Sequence, residues 1–249
     1  MNVEKITQAF ATDGYVVIHD LVDTTLLEQI TNELERVVEE TVASTTPQQL
    51  LFDDETESRI GTSSASVRCM FQIQEHSSFL RDLLHTGRFV DLAETLLDDV
   101  PVAMGIQLID KPPFASYEFP YHQDNAYMFV DPPCALAATV ALDSQTADSG
   151  PISFLRGSQV LDILPHQPSG VIGASQGLVD PPDTETFPEV ALELEAGDVL
   201  VHHTNVIHRT GPNRTGKHRR NLGFIYHGTG VTKDVEKLAR YQRELSESN

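Results

Sequence analysis

The segment Pro120-Tyr121-His122-Gln123-Asp124-Asn125 sets an imidazole and a carboxylate two residues apart. In an extended strand such residues face the same side, so a ring nitrogen of His122 and an oxygen of Asp124 can converge on one point, as a metal ion requires. Taken alone, the pair is too common to mean much. A second segment, Gly197-Asp198-Val199-Leu200-Val201-His202-His203-Thr204-Asn205-Val206-Ile207-His208, opens on a tight turn and reads as a β-run that delivers His208 at its end. Two histidines and one carboxylate make a facial triad, the donor set that suits iron(II) and leaves three octahedral positions open. A zinc hydrolase would more often keep a tetrahedral site with one open position. Arg219 follows across a loop, in a strand expected to return antiparallel beside His208. A buried guanidinium there offers a two-pronged salt bridge to a carboxylate, and the Thr210 hydroxyl can reach the same oxygens; the pair suits the distal carboxylate of 2-oxoglutarate.

These side chains need a rigid frame. After Pro101, short β-like runs appear at 102–109, 135–142, 152–155, 190–194, 198–203 and 222–226, separated by Pro and Gly clusters and without a helix between each pair. That pattern argues for an antiparallel sandwich or barrel and against a doubly wound nucleotide fold, and neither a Gly-x-Gly-x-x-Gly nor a phosphate-loop motif occurs. The first hundred residues read mainly as helix after a short strand at 15–18. Leu26, Leu27, Ile30, Leu34, Val37 and Val38 recur at three- and four-residue steps, which predicts an amphipathic helix from Asp23 or Thr24 to about Thr41. The polar stretch 43–66 reads as a solvated connector or a lid. Two further helices are expected around Phe79 to Leu84 and Phe89 to Leu97, a long loop over 167–189, and a charged helix over 233–245.

At 249 residues, with 40% hydrophobic and 22% charged residues, the chain suits one globular domain, 1–249: a helical part to about 100, a β core over about 101–228 and a terminal helix over about 231–245. Lys and Arg number 17 against 37 Asp and Glu, a net charge of −20, and that average field repels nucleic acid and anionic membrane surfaces. Cys69 and Cys134 make no disulfide framework, and the apolar stretches are too short to span a bilayer, so a cytoplasmic protein with neither partner is expected. Oligomeric state stays open.

The chain resembles the phytanoyl-CoA dioxygenase family of iron- and 2-oxoglutarate-dependent oxygenases. The resemblance rests on Phe10-Ala11-Thr12-Asp13-Gly14-Tyr15-Val16-Val17, His122-Gln123-Asp124, Ser149-Gly150-Pro151 leading to Arg156-Gly157-Ser158, Gly197-Asp198, His208 and Arg219. It implies a mainly β fold, a double-stranded β-helix (jelly roll, cupin-like), with N-terminal helices buttressing one sheet. It implies further that His122, Asp124 and His208 hold iron(II), that Arg219 and Thr210 hold 2-oxoglutarate, and that O2 is consumed while succinate and CO2 are released. The family's usual Pro-Gly-Ser-His reads Arg156-Gly157-Ser158-Gln159 here, and the chain has no tryptophan.

Gln107 and Lys111 precede the metal motif and are expected at the barrel mouth, near 2-oxoglutarate. Asn125 and Tyr127 follow the ligand pair and, with Gln159, are expected to meet a small-molecule substrate. His202 and His203 are adjacent, so they face opposite sides of a strand and read as packing or hydrogen-bonding residues, and Arg220 points away from Arg219. The expected outcome is hydroxylation, cyclisation or desaturation at an aliphatic carbon of a polar metabolite. Two alternatives stand beside it: an acyl-CoA hydroxylase, and a non-catalytic cupin-like binder of a metal or small molecule.

Overall fold

The structure, a computed structural model, describes residues 2–19, 21–44, 50–52, 67–171 and 173–248. Helix α1 (Val3–Asp13) is capped by Asn2, whose side chain accepts from the Lys5 N–H, and it stops at Gly14, whose φ of +83° suits a residue without a Cβ. Strand β1 (Tyr15–Ile18) and helix α2 (Thr24–Ser44) follow, then β2 (Leu50–Phe52), β3 (Val67–Phe71), α3 (Ser78–His85) and α4 (Arg88–Leu97). The chain continues through β4 (Pro101–Lys111), β5 (Phe119–His122), α5 (Asn125–Met128), β6 (Val130–Asp131), β7 (Ala135–Ala141), β8 (Ile152–Leu155), β9 (His166–Val171) and β10 (Ala174–Leu178). It ends with β11 (Glu189–Ala191), β12 (Val199–His203), β13 (His208–Thr210), β14 (Arg219–Gly228), β15 (Thr232–Lys233) and α6 (Val235–Ser248).

Two antiparallel sheets face one another as a double-stranded β-helix. The larger runs β1-β12-β7-β14-β4-β3-β2 and the smaller β11-β8-β13-β5, with two-stranded pairs β9 with β10 and β6 with β15 at the side. Alternation along the large sheet sorts its side chains. Val199, Val201, Leu222, Phe224, Tyr226, Ile106, Leu108, Leu136, Ala138 and Val140 face outward and pack against Ile30, Leu34 and Val37 of α2 and Leu80, Leu84, Phe89 and Leu92 of α3 and α4. Phe89 stacks on Phe224 with ring centroids 4.1 Å apart, and the Tyr226 hydroxyl donates to Leu84 O at 2.9 Å. The intervening residues, including Leu200, His202, Arg219, Asn221 and Lys111, take the opposite face. There Leu200, Tyr15 and Ala141 meet Ile152 and Phe154 of the smaller sheet and Val206 of the turn that leads into it.

Several expectations need correcting. The 43–66 segment lies largely outside the described residues, yet Leu50–Phe52 form a strand and α2 runs on to Ser44. Strand β3 and helix α1 were not anticipated from the pattern. The expected loop over 167–189 contains the hairpin β9–β10, whose strand His-Gln-Pro-Ser-Gly-Val carries too few apolar residues to show a period of two. Arg219 does not return beside His208: it opens β14 in the large sheet, between β4 and β7. Strand β14 also runs from Arg219 to Gly228, well beyond 222–226 at both ends.

Candidate active site

His122 and His208 are cross-strand partners in β5 and β13, with ring centroids 4.2 Å apart. Asp124 is not on the strand. It stands two residues past the end of β5, in helical φ/ψ at the start of α5, and the turn rather than the pleat brings its carboxylate round to His122. Likewise His208 does not end the β12 run; a turn at 204–206 carries the chain across to the small sheet, and His208 is the first residue of β13. The outcome is convergence: the ligand atoms of His122, Asp124 and His208 all lie within 4.8 Å of one another.

Their protonation states follow from their partners. His122 Nδ1 sits 2.8 Å from Pro120 O and His208 Nδ1 3.1 Å from Val206 O, and a carbonyl can only accept, so Nδ1 of each ring carries the hydrogen. That leaves the Nε2 lone pairs bare, each 3.7 Å from the same Asp124 Oδ1. Burial pushes the His122 imidazole down and, with His122 beside it, drives His208 to about 3. For Asp124, burial works upward and is outweighed by His208, His202 and His122, which hold the carboxyl below its usual range. Two neutral imidazoles and an ionised carboxylate aimed at one point are a donor set built for a divalent cation.

A second cluster lies on the inward face of the large sheet, around Arg219. Arg219 is 1% exposed, and its Nε and Nη2, the two donors on one side of the guanidinium fork, have no hydrogen-bond partner among the described residues. Nη1 reaches the Asn221 amide oxygen at 2.9 Å once that amide is turned to face it. Burial lowers Arg219 to about 10. A paired Nε–H and Nη2–H with nothing to bond is the complement of a carboxylate. Opposite Arg219 in the β4–β14 register lies Lys111, fully buried, whose Nζ donates to Thr210 Oγ1 at 2.7 Å and to Gly211 O. Burial and then Arg219 push Lys111 down to about 6. Thr210 stands two residues past His208 on β13, a rise of roughly 7 Å, so the hydroxyl and the imidazole belong to one strand face.

The remaining residues separate. Tyr127 stays beside the ligands, its ring edge-on to His122 at 6.0 Å between centroids and its hydroxyl donating to Gln176 O at 3.2 Å. Gln107 is half-buried on the inward face of β4, against Gly223 and Thr139. Asn125 is turned inward as a clamp: both its amide N–H groups are spent, on Val130 O and the Asn205 side chain, and its oxygen accepts the Val130 N–H. Gln159 is elsewhere, donating to the Ala11 and Thr12 carbonyls at the end of α1. Two residues escaped sequence reasoning. Arg68 of β3 lays its guanidinium 3.8 Å over the Tyr117 ring near Lys111, on a strand with no recognisable period. His202 bonds Asp124, where adjacency to His203 showed only that one of the two must face inward.

The family model described as phytanoyl-CoA dioxygenase matches residues 10–221. A phytanoyl-CoA dioxygenase of Arabidopsis thaliana is 26% identical over 147 residues, covering 59% of this chain and 52% of that protein. A probable phytanoyl-CoA dioxygenase of Caenorhabditis elegans is 30% identical over 154 residues, covering 59% and 49%. The matched stretch thus spans about half the length of these curated relatives. Among solved structures, EctD from S. alaskensis with 2-oxoglutarate and 5-hydroxyectoine superposes with a TM-score of 0.74 at 20% identity, over 92% of this chain and 77% of that one. At that identity the likeness speaks for the fold.

Proposed function

The chain belongs to the phytanoyl-CoA dioxygenase family, and from that premise we propose that it is a non-haem iron(II) and 2-oxoglutarate-dependent dioxygenase acting on an aliphatic carbon of a small polar metabolite. The observation that carries this reading is a buried guanidinium whose two parallel donors lack a partner among the described residues, linked through Lys111 and Thr210 to the strand that bears one of three converging ligand side chains. A zinc-binding or non-catalytic cupin-like protein would need the converging ligands and not the guanidinium. The whole chain, 1–249, acts as one domain in this reading, without nucleic-acid or membrane partners; among the described residues no helix is long and apolar enough to cross a membrane. Two free cysteines accord with a cytoplasmic setting.

His122, Asp124 and His208 would hold the metal, and Arg219, Thr210 and Lys111 the far carboxylate of 2-oxoglutarate. Iron and 2-oxoglutarate, when bound, supply the activation of O2, one oxygen atom leaving in succinate as CO2 is lost and the other oxidising the substrate C–H bond. The protein's share is placement. Pro120 O and Val206 O fix the two imidazoles through Nδ1 and keep Nε2 unprotonated. Lys111 donates to Thr210 Oγ1, so the Thr210 hydroxyl is left to give its own hydrogen to a carboxylate oxygen. Phe154 and Tyr127 stand against the imidazoles and keep bulk water from that side.

The substrate class rests on charge. A coenzyme A ester brings several phosphates and calls for a basic surface, while the chain carries −20, so the relatives' names do not transfer as a substrate. Gln107 on the inward face suits hydroxyls or amines. The test is succinate formation with iron(II), 2-oxoglutarate and O2 in the presence of amino acids, amines, sugar-containing compounds or a branched fatty acyl-CoA. Stimulation by polar metabolites is expected; stoichiometric succinate with the acyl-CoA alone overturns the substrate class, and no turnover of 2-oxoglutarate under any condition overturns the enzyme.

A further inference from the structure

Of the three converging ligands, Asp124 has the weakest local anchorage. The imidazoles are tied through Nδ1 to carbonyls two residues upstream, but Asp124 makes no capping bond to α5. Among the described residues its carboxylate receives one hydrogen bond, from His202 Nε2 to Oδ2 at 2.9 Å. The other oxygen, Oδ1, is the one that faces both ligand imidazoles. Each carboxylate oxygen therefore has its own assignment.

His202 reaches this position from β12, as the inward residue after Val201, with its ring 5.5 Å from Phe154 and 4.9 Å from His208 between centroids. A carboxylate only accepts, so Nε2 carries the hydrogen of that bond. Nδ1 is buried and has no partner among the described residues, a cost that a phenylalanine in the same place would not incur. The fold keeps the histidine nonetheless, and the one bond gained in exchange is the bond to Asp124. A carboxylate free to rotate can chelate a metal through both oxygens and take up a further coordination position. One whose Oδ2 is held by an N–H presents Oδ1 alone.

We infer that His202 is a positioning residue that holds Asp124 as a one-oxygen ligand and so keeps open the positions needed by cosubstrate and O2. The inference rests on the reading that His122, Asp124 and His208 bind the metal. The experiment titrates the full chain with cobalt(II) against a chromophoric chelator, without O2, then adds 2-oxoglutarate to the cobalt-loaded protein and follows the visible ligand-field spectrum. Three variants are compared after far-UV circular dichroism has shown them folded. His202→Phe removes the donor, His202→Asn places an amide too short to reach, and His202→Gln places an amide N–H close to where Nε2 stands. Loss of an outer hydrogen bond to a ligand weakens metal binding about 10- to 100-fold. That loss is expected for the Phe and Asn variants, together with weaker 2-oxoglutarate binding to the cobalt form, and the Gln variant is expected to recover most of both. Phe or Asn variants that match the unaltered protein, or a Gln variant as impaired as Phe, overturn the inference. If the unaltered protein itself binds no cobalt, the ligand assignment fails and the role of His202 falls with it.

Discussion

At one end of the pocket each ligand side chain is already held by the protein: His122 by Pro120 O, His208 by Val206 O, Asp124 by His202. At the other end Arg219 keeps two buried N–H groups without partners among the described residues, beside a lysine that burial has pushed down to about 6. The first region is assembled before a metal arrives. The second is costly until an anion fills it, because a buried guanidinium with unpaired donors opposes folding. On the proposed reading, stability is conceded around Arg219 in favour of binding a carboxylate, and the two ends should respond differently to substitution.

The largest effect is expected from the assembled end. Replacing either His122 or His208 with alanine removes an inner ligand and should abolish 2-oxoglutarate turnover. Retained turnover in the His122→Ala, His208→Ala double variant would place the metal elsewhere. Arg219→Ala comes next. Breaking a buried charged pair costs about 3 to 5 kcal/mol, so the apparent 2-oxoglutarate constant should rise at least ~100-fold while metal binding survives. An unchanged constant would mean that Lys111 and Arg68 hold the carboxylate without Arg219.

A third prediction concerns pH. In the free protein Lys111, facing Arg219, Arg68 and Glu118, titrates near 6, below its ordinary 10.5, so it is mostly neutral at pH 7 and above. A carboxylate bound beside it favours the charged form, and binding must then take up a proton. The sign follows: affinity for 2-oxoglutarate is flat below pH 6 and falls as pH rises above it, by up to about tenfold per unit. Calorimetry in buffers of different ionisation enthalpy reads the proton directly, and Lys111→Met should flatten the profile. A profile unchanged by that substitution removes Lys111 from the subsite.

The smallest effect marks a boundary of the pocket. Gln159→Ala should leave turnover nearly untouched and cost about 1 kcal/mol of stability through lost bonds to Ala11 and Thr12. A large rise in substrate KM would bring Gln159 back to the site.

These differences also explain what the sequence made legible. Strands β7, β8, β12 and much of β4 were visible because apolar residues recur in runs of strand length, and α2 and α4 because their apolar steps match a helix packed on a sheet. The convergence of His122, Asp124 and His208 was visible by residue type and order alone, although a turn at the end of β5, and not the pleat of a strand, brings Asp124 round to His122. Strands β3 and β9 stayed hidden because their pairing depends on backbone bonds rather than apolar alternation. Asn125 was misread for a related reason. Its neighbour Asp124 turns its carboxylate toward His122 and His208, but the short helix α5 turns Asn125 the other way, onto Val130 and Asn205. Proximity in sequence carries little information about direction across a turn.

On the proposed reading, the protein holds a metal at His122, Asp124 and His208, and 2-oxoglutarate between that metal and Arg219. Anaerobic titration of 2-oxoglutarate into the iron(II)-loaded protein tests it most directly, because chelation of iron(II) by a 2-oxo acid produces a visible charge-transfer absorption that neither component shows alone. One equivalent of iron and one of 2-oxoglutarate should saturate the band, with His208→Ala failing to develop it and Arg219→Ala developing it only at much higher 2-oxoglutarate. A protein that gives no band, or a band that His208→Ala develops as fully as the unaltered chain, contradicts the account.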